Sequence, residues 1–294
     1  MADVSEDEPA TDGAPGDAIA RLETRARAAR AAVVRAVARA QAGHLGAPLS
    51  CIDLLTVLYG GVLRVRPEEP AWPARDRFVL SKGHAAIGLY AVLAVAGYLP
   101  IEELETFDQL GSRLQGHPDM TRLPGIDMST GSLGTGMSAA VGMAMGARRL
   151  GLESAVFTML GDGECQEGQI WEAAMAAARF ELDNLIAIVD VNDLQQFGWV
   201  DGTGRRLAPW TPGALARIWA GFGWTVREVD GHALADVVDV LTDARDRPVV
   251  GRPTVVLART TKGRGVSFME DRYEWHARVP TADEAGRALA ELAD

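Results

Sequence analysis

Two loops in the second half of the chain carry the glycines and oxygen ligands from which a metal and phosphate site can be built. The loop 160–163, Leu-Gly-Asp-Gly, follows an apolar run, and its glycines let backbone N–H groups approach an anion while Asp162 faces a cation. The loop 190–194, Asp-Val-Asn-Asp-Leu, follows the next apolar run and offers the Asn192 side-chain oxygen and the Leu194 main-chain oxygen. Such all-oxygen donors suit a hard divalent ion that also holds phosphate oxygens.

Taken singly, neither loop is specific, because an Asp between glycines and a lone Asn after a strand are more often turn or capping residues. Their spacing favours a site. Between Gly163 and Asn192 lie 28 residues, enough for one strand-helix-strand crossover. Ligands of parallel sheets bind beyond the carboxyl ends of the strands, so we expect the two loops to meet there.

Histidines and lysines concentrate in loops. Of five histidines, four are flanked by Gly, Pro or aromatic residues in predicted loops: His44, His84, His117 and His276. The fifth, His232, precedes a predicted helix, and we expect it to cap that helix. Lys82 and Lys262 are the only lysines among 29 basic residues, and Asn184 and Asn192 are the only asparagines. In a chain so biased toward Arg, we expect the remaining Lys to occupy positions where the forked guanidinium fails.

Short apolar runs alternate with helical patterns along the chain. Strands are predicted at 77–80, 155–160, 185–191, 224–229 and 254–258, and helices include 18–42, 50–62, 137–150, 169–180, 214–221 and 234–244. Continuously apolar strands separated by helices indicate an α/β fold with a parallel sheet flanked by helices on both faces. Residues 111–136 are predicted to form a long loop.

Composition excludes several classes of protein. Residues 1–17 hold six carboxylates and no Lys or Arg, so we predict a disordered acidic leader at 1–17 and a single domain at 18–294. Without those six, the net charge of −11 becomes −5, which argues against a nucleic-acid partner. We find no signal peptide and no apolar run of the ~20 residues that span a bilayer. Two cysteines, 51 and 165, exclude a disulfide framework, and we expect a cytoplasmic protein.

Several motifs resemble the transketolase family, in the family's order. They are Ser-Lys-Gly-His at 81–84, Gln-Gly-His-Pro at 115–118, Thr-Gly-Ser-Leu-Gly-Thr-Gly at 130–136 and Gly-Asp-Gly-Glu-Cys-Gln-Glu-Gly at 161–168, followed by Asn192. The resemblance runs from about residue 20 to about residue 279. It implies a thiamine diphosphate-binding fold and transfer of a two-carbon ketol unit from a ketose to an aldehyde.

The resemblance also implies roles for individual residues. The metal, Mg²⁺ or in its place Ca²⁺ or Mn²⁺, is held by Asp162, Asn192 and the carbonyl of Leu194. Residues that touch thiamine diphosphate are His84, Gly131, Ser132, Leu133, Gly163 and Asn192, and Lys262 lies near phosphate or substrate. The catalytic set is His44, His117 and His276, which line the substrate channel and move protons, and Glu167, which couples cofactor sites across a dimer interface. For Glu167, a helix-start residue favoured by the helix dipole remains an equal alternative.

Departures from full-length transketolases resemble the split, two-subunit branch of the family. They are Leu45 after the first loop histidine and Lys82 in the motif at 81–84, whereas the segment 193–197 departs from the usual Asn- and Gly-rich continuation. The chain ends soon after the diphosphate-binding domain. The resemblance therefore implies a separate C-terminal-type subunit that supplies the activating glutamate, as α2β2, and a chain that is inactive alone.

Three other functions stay open. The α subunit of a 2-oxo acid dehydrogenase shares the Gly-Asp-Gly…Asn arrangement, and pyruvate-dependent decarboxylation without ketose activity would identify it. A non-catalytic scaffold subunit would show no Mg²⁺-dependent binding of thiamine diphosphate. The hypothesis of a nicotinamide oxidoreductase depends on the glycines of 131–136, which form a weak motif without a preceding strand. The donor ketose and the acceptor aldehyde cannot be read from the sequence.

Overall fold

A five-stranded parallel sheet forms the centre of the computed structural model, which describes residues 15–196, 201, 203, 210 and 213–293. The strand order is β1-β2-β3-β5-β4, and all neighbouring strands are parallel. The strands are β1 (Arg77–Leu80), β2 (Val156–Gly161), β3 (Leu185–Val191), β4 (Thr225–Asp230) and β5 (Thr254–Arg259). The predicted α/β fold with a parallel sheet is confirmed.

Helices cover both faces of the sheet. They are α1 (Pro15–Ala40), α2 (Gly46–Val57), α3 (Ala86–Val95), α4 (Thr135–Arg149), α5 (Gly168–Arg179), α6 (Ala214–Gly221), α7 (Leu234–Asp246) and α8 (Ala282–Glu291). Helices α1, α2, α3, α7 and α8 share one hydrophobic cluster with one face of the sheet. Helices α4, α5 and α6 share a second cluster with the opposite face. Along β3, Ile186 and Ile188 enter the first cluster while Ala187 and Val189 enter the second, which explains why this strand is apolar without alternation.

Helix α2 is buried along its whole length, so it is a core helix rather than an amphipathic one. It packs against α1, α3 and α7, and its first residue, Gly46, lies against Lys262. A β-carbon at Gly46 would stand 2.8 Å from Cγ of Lys262 and 3.1 Å from the carbonyl oxygen of Trp275. These contacts place the start of α2 against the loop that follows β5, at the carboxyl edge of the sheet.

Some predicted boundaries are wrong. Helix α1 begins at Pro15, so residues 15–17 belong to its first turn and not to a disordered leader; residues 1–14 lie outside the described residues. Proline is favoured at a first helical position, and Asp17 in the first turn suits the helix dipole. The helix predicted at 50–62 begins at Gly46, and its last turn is a π-helix with Gly61 at φ 152°. In the described part of the chain, no helix is long and apolar enough to cross a membrane.

Candidate active site

The structure brings the two oxygen-rich loops together at the carboxyl edge of the sheet. Strands β2 and β3 are neighbours, with Gly161 paired with Asp190. The carboxylate of Asp162 accepts the N–H of Asp193 at 2.7 Å and the N–H of Gly163 at 2.8 Å. The first of these bonds joins the β3 loop to the β2 loop.

Two of the expected metal ligands, Asp162 and Asn192, lie on the wall of one cavity. Asn192 turns its amide nitrogen toward Asp190, and its Oδ1 accepts the N–H of Leu194 at 3.2 Å. Burial, and next the charge of Asp190, raises the pKa of Asp162 to about 7. A carboxylate in this environment is stabilised by a cation, so the residues present fit a divalent ion. The described residues contain no cluster of three His, Cys, Asp or Glu side chains suited to a metal, as expected for a set with one carboxylate.

The turn after Asn192 has an unusual backbone. Asp193, Gln195 and Gln196 have φ angles of 58°, 40° and 72°, in the left-handed region that costs non-glycine residues about 1–2 kcal/mol each. Such conformations concentrate at ligand-binding sites. The turn also approaches Gly163 closely, since a β-carbon there would lie 3.3 Å from Cα of Gln195. This compact turn is the segment that departs from the family pattern.

A cavity of about 270 Å³ opens beside these loops. Residues following four strands line it: His84 after β1, Asp162 after β2, Asn192 after β3 and Lys262 after β5. Other predicted site residues on its wall are Leu133, Gly163, Glu167 and His276. The convergence of four strand ends on one cavity is the geometry that a parallel sheet offers a ligand.

The remaining predicted residues lie around this cavity. Gly131 packs against His117, where a β-carbon would meet the imidazole Cδ2 at 3.2 Å, and Ser132 is exposed in the loop that leads into α4. That loop is not preceded by a strand within 81–134, which disfavours the nicotinamide alternative. His44 and His117 line an adjacent, more open cavity of about 580 Å³.

Four histidines from distant parts of the sequence form one cluster. The ring of His44 lies 5.4 Å from that of His84, 5.2 Å from that of His276 and 6.3 Å from that of His117. The rings of His84 and His276 are 5.2 Å apart. Burial, and then neighbouring positive charges, lowers the pKa of His44, of His84 and, to about 3, of His276. These three imidazoles are therefore neutral at pH 7.

The two lysines of the chain lie on the same cavity, and their pKa values are shifted in opposite directions. Lys82 is 1% exposed and forms an ion pair with Asp190. Burial lowers the pKa of Lys82, but the attraction of Asp190 outweighs it and raises the pKa to about 12. Lys262 contacts Nδ1 of His276 at 2.9 Å, and burial, followed by repulsion from Lys82, lowers its pKa to about 8.

Glu164 is a buried site residue that sequence reasoning missed. Its carboxylate accepts Ser81 Oγ at 2.5 Å, the N–H of Gly134 at 2.7 Å and the N–H of Gly161 at 3.1 Å. It thereby ties together the loops after β1 and β2 and the start of α4. The sequence signal that could have identified Glu164 is its position next to Gly163 in the motif at 161–168. By contrast, Glu167 is exposed at the N-cap position of α5, which keeps both of its predicted roles open.

The prediction that His232 caps α7 is wrong. The N-cap of α7 is Ala233, and the His232 ring turns into the protein instead. Its Nε2 accepts the N–H of Thr261 at 2.8 Å, so its Nδ1 carries the proton and donates to Asp53 at 2.7 Å. Asp53 is also paired with the buried Arg30 at 2.6 Å. The residue remains structural, as expected, but it supports the loop that carries Lys262.

Comparison with known proteins now identifies the family. A family model described as the transketolase thiamine diphosphate-binding domain matches residues 22–291. The chain belongs to the transketolase family. A 6-deoxy-6-sulfo-D-fructose transketolase subunit of Clostridium sp. is 42% identical over 92% of this chain and 96% of that relative. An apulose-4-phosphate transketolase subunit of Actinobacillus succinogenes is 43% identical over 93% of this chain and 96% of that relative.

Solved transketolases share the fold of this chain. The transketolase of Campylobacter jejuni superposes with a TM-score of 0.83 at 31% identity and covers 92% of this chain, which spans 42% of that chain. The transketolase of Leishmania mexicana gives 0.82 at 27% identity, covering 92% of this chain and 41% of that chain. The predicted thiamine diphosphate-binding fold, the transketolase-type transferase and the N-terminal subunit of a split transketolase are thereby confirmed.

Proposed function

We propose that this subunit binds the diphosphate of thiamine diphosphate through Mg²⁺ and, with a C-terminal-type partner, transfers a two-carbon ketol unit from a ketose to an aldehyde. One observation carries the proposal. Asp162, Asn192 and Lys262 converge on one cavity at the ends of β2, β3 and β5, beside the histidine cluster. In this proposal the cavity wall would provide a cation site, an anion site and proton carriers.

The cofactor would be held by groups whose chemistry matches its parts. Asp162, Asn192 Oδ1 and the carbonyl of Leu194 would bind Mg²⁺, or Ca²⁺ or Mn²⁺ in its place. The ammonium of Lys262 would face the diphosphate, and so would the N–H of Gly163 once the cation takes the Asp162 oxygen to which that N–H donates in this structure. Residues Gly131, Ser132, Leu133 and His84 would contact the rest of the cofactor. When bound, thiamine diphosphate would supply a nucleophilic ring carbon and a cationic ring that takes up the electron pair of the C–C bond as that bond breaks.

The histidines would move protons between substrate oxygens and the protein. Because Lys262 is protonated at pH 7 and donates to Nδ1 of His276, the proton of that imidazole lies on Nε2, which can donate to a substrate oxygen. His44 is neutral and lies between His276 and His117, so it can accept a proton from a substrate hydroxyl. His117 faces the open cavity, where substrate would enter.

A partner chain is part of the proposal. The relatives that match almost their full length are named as transketolase subunits, and the solved transketolases are more than twice as long as this chain's match. We propose that a C-terminal-type subunit supplies the activating glutamate and most substrate contacts, in an α2β2 assembly. Glu167, exposed at the rim of the cavity, would face the dimer interface. The cytoplasmic location belongs to the same proposal.

Co-expression with the neighbouring reading frame tests this function. The assembled complex, supplied with thiamine diphosphate and Mg²⁺, is assayed with a panel of ketose donors against a panel of aldehydes. We expect ketol transfer by the complex and none by either chain by itself, and loss of transfer in the Asp162→Asn complex. Full activity of this chain alone would refute the partner, and pyruvate decarboxylation without ketose activity would refute the transketolase reaction.

A further inference from the structure

Asp190 is a wholly buried carboxylate with donors on both oxygens. Its Oδ2 accepts Ser50 Oγ at 2.5 Å and the ammonium of Lys82. Its Oδ1 accepts the hydroxyl of Thr260 and, at 3.5 Å, the amide nitrogen of Asn192. These donors come from α2 and from the loops after β1, β3 and β5, so Asp190 stands at the junction of the elements that form the cavity.

Two hydrogen bonds set the orientation of the Asn192 amide, one from its nitrogen to Asp190 and one to its oxygen from the N–H of Leu194. The two ends of a side-chain amide have nearly the same shape, and hydrogen-bond partners decide which end points where. Here the carboxylate of Asp190 takes the nitrogen, and the oxygen lies on the other side, 3.2 Å from the N–H of Leu194. Asn192 therefore presents an oxygen, and not an N–H group, to a cation beside Asp162.

The orientation of the Asn192 amide depends on Lys82 because Lys82 balances the charge of Asp190. Asp162 and Asp190 are buried carboxylates at the ends of adjacent strands, and each repels an incoming diphosphate. The ammonium of Lys82 cancels the charge of Asp190 and occupies the lone pairs through which that carboxylate could compete for a metal. Asp162 is then the carboxylate that remains for the cation.

We propose that Lys82 is a positioning residue of the cofactor site: it neutralises Asp190, which then holds the Asn192 amide with its oxygen available to the cation. The inference rests on the proposed function, since the cation and diphosphate are those of thiamine diphosphate. A lysine suits the place because its Nζ reaches both Asp190 and, at 3.4 Å, the carbonyl of Ala47, while its side chain is 2% exposed. An arginine would bring a larger, forked group into the same space.

Variants that remove one charge or both separate this role from direct contact with the cofactor. Binding of thiamine diphosphate at saturating Mg²⁺ is measured by calorimetry on the assembled complex, and the melting temperature is measured on the full chain without ligand. We expect Lys82→Met and Asp190→Asn each to weaken binding about 10- to 100-fold and to lower the melting temperature by roughly 10 °C, because each leaves one buried charge alone. In the double variant, we expect both quantities to return to near the wild-type values.

Lys262 provides the matched control, since it lines the same cavity without an ion pair to Asp190. We expect Asp190→Asn to add to the binding defect of Lys262→Met and not to offset it. A double Lys82/Asp190 variant that binds as weakly as Lys82→Met would overturn the proposal, and so would a Lys82→Met variant that binds like the wild type. If the wild type itself fails to bind thiamine diphosphate, the proposed function falls, whereas rescue of the melting temperature still tests the charge pairing.

Discussion

Replacing Lys262 with Met is expected to stabilise the chain while weakening its binding of thiamine diphosphate. Lys262 is 2% exposed, and burial lowers its pKa from 10.5 to about 8. Met keeps a flexible apolar chain against Gly46 and removes the charge. The protein would thus gain free energy of unfolding at the expense of its function, as is common for buried charges in active sites.

The magnitude follows from the difference between the two pKa values. At pH 7 the lysine is protonated in both the folded and the unfolded chain, and a pKa difference of about 2.5 corresponds to about 3 kcal/mol of destabilisation. The hydrogen bond between Lys262 and His276 offsets about 1 kcal/mol of this destabilisation. We therefore expect Lys262→Met to raise the free energy of unfolding by about 2 kcal/mol at pH 7.

The difference in free energy of unfolding between Lys262→Met and the wild type reverses its sign as the pH rises. No packing effect would produce such a pH dependence. Between pH 8 and pH 10.5, the unfolded chain holds the Lys262 proton and the folded chain releases it, so wild-type stability rises with pH relative to the variant. Urea unfolding of both proteins at pH 7 and pH 10.5, without cofactor, measures the difference. Tyrosine titration at high pH affects both proteins alike and cancels. A stability difference that stays constant over this range would refute the reasoning.

Three further outcomes are expected. Asp162→Asn weakens Mg²⁺-dependent cofactor binding about 100-fold by calorimetry. It also raises the free energy of unfolding of the ligand-free chain at pH 8 by about 2 kcal/mol: the rise of the folded pKa from 3.8 to about 7 costs the wild type about 4 kcal/mol, and the loss of one oxygen that accepts an N–H offsets about 2 kcal/mol of the gain. His276→Asn lessens the loss of stability between pH 7 and pH 5 by about 2 kcal/mol in urea unfolding, because a lowered folded pKa destabilises the wild type below pH 6.5. Thr281→Ala removes the capping box of α8 and costs about 1 kcal/mol, or roughly 2–4 °C in melting temperature, without changing cofactor affinity.

Sequence patterns predict most strands and some helix boundaries well. The limits of β1, β3 and α6 agree with the structure, since each is an apolar run with clear breaks at its ends. The pattern puts the start of α2 at Ser50 because Gly46 and Pro48 look like helix breakers. Proline is tolerated in a first helical turn, where its missing N–H would have no intrahelical partner, so the helix begins at Gly46.

Helix α8 is absent from the predicted elements although its start carries a readable signal. Thr281 and Glu284 form a capping box, in which the Thr hydroxyl accepts the N–H of Glu284 and the Glu carboxylate accepts the N–H of Thr281. The pattern Thr-x-x-Glu before a helical run is typical of such starts. The short Ala-rich helix that follows has few large apolar residues, which is why periodicity alone does not reveal it.

Within the site, the topology of the sheet predicts some contacts between residues and not others. The approach of Asp162 to the Asn192 loop follows from two adjacent parallel strands and needs no knowledge of side chains. The contact between His44 and His276 depends on how α2 and the 3₁₀ turn at Tyr273–His276 pack, which no local pattern encodes. The same holds for Lys82 and Asp190, whose pairing joins segments 108 positions apart.

The scarcity of lysine and asparagine takes on meaning once their positions are known. Both lysines line the candidate site, one held charged by Asp190 and the other with a pKa lowered to about 8, a state that an arginine does not reach. Asn184 lies elsewhere, yet its amide donates to the carbonyls of Ala144 and Ser154 at 3.2 and 3.3 Å, which a carboxylate cannot do. In a chain with 27 arginines and two lysines, both lysines and Asn184 therefore occupy positions whose contacts a guanidinium or a carboxylate would not reproduce, whether the position serves the site or the scaffold.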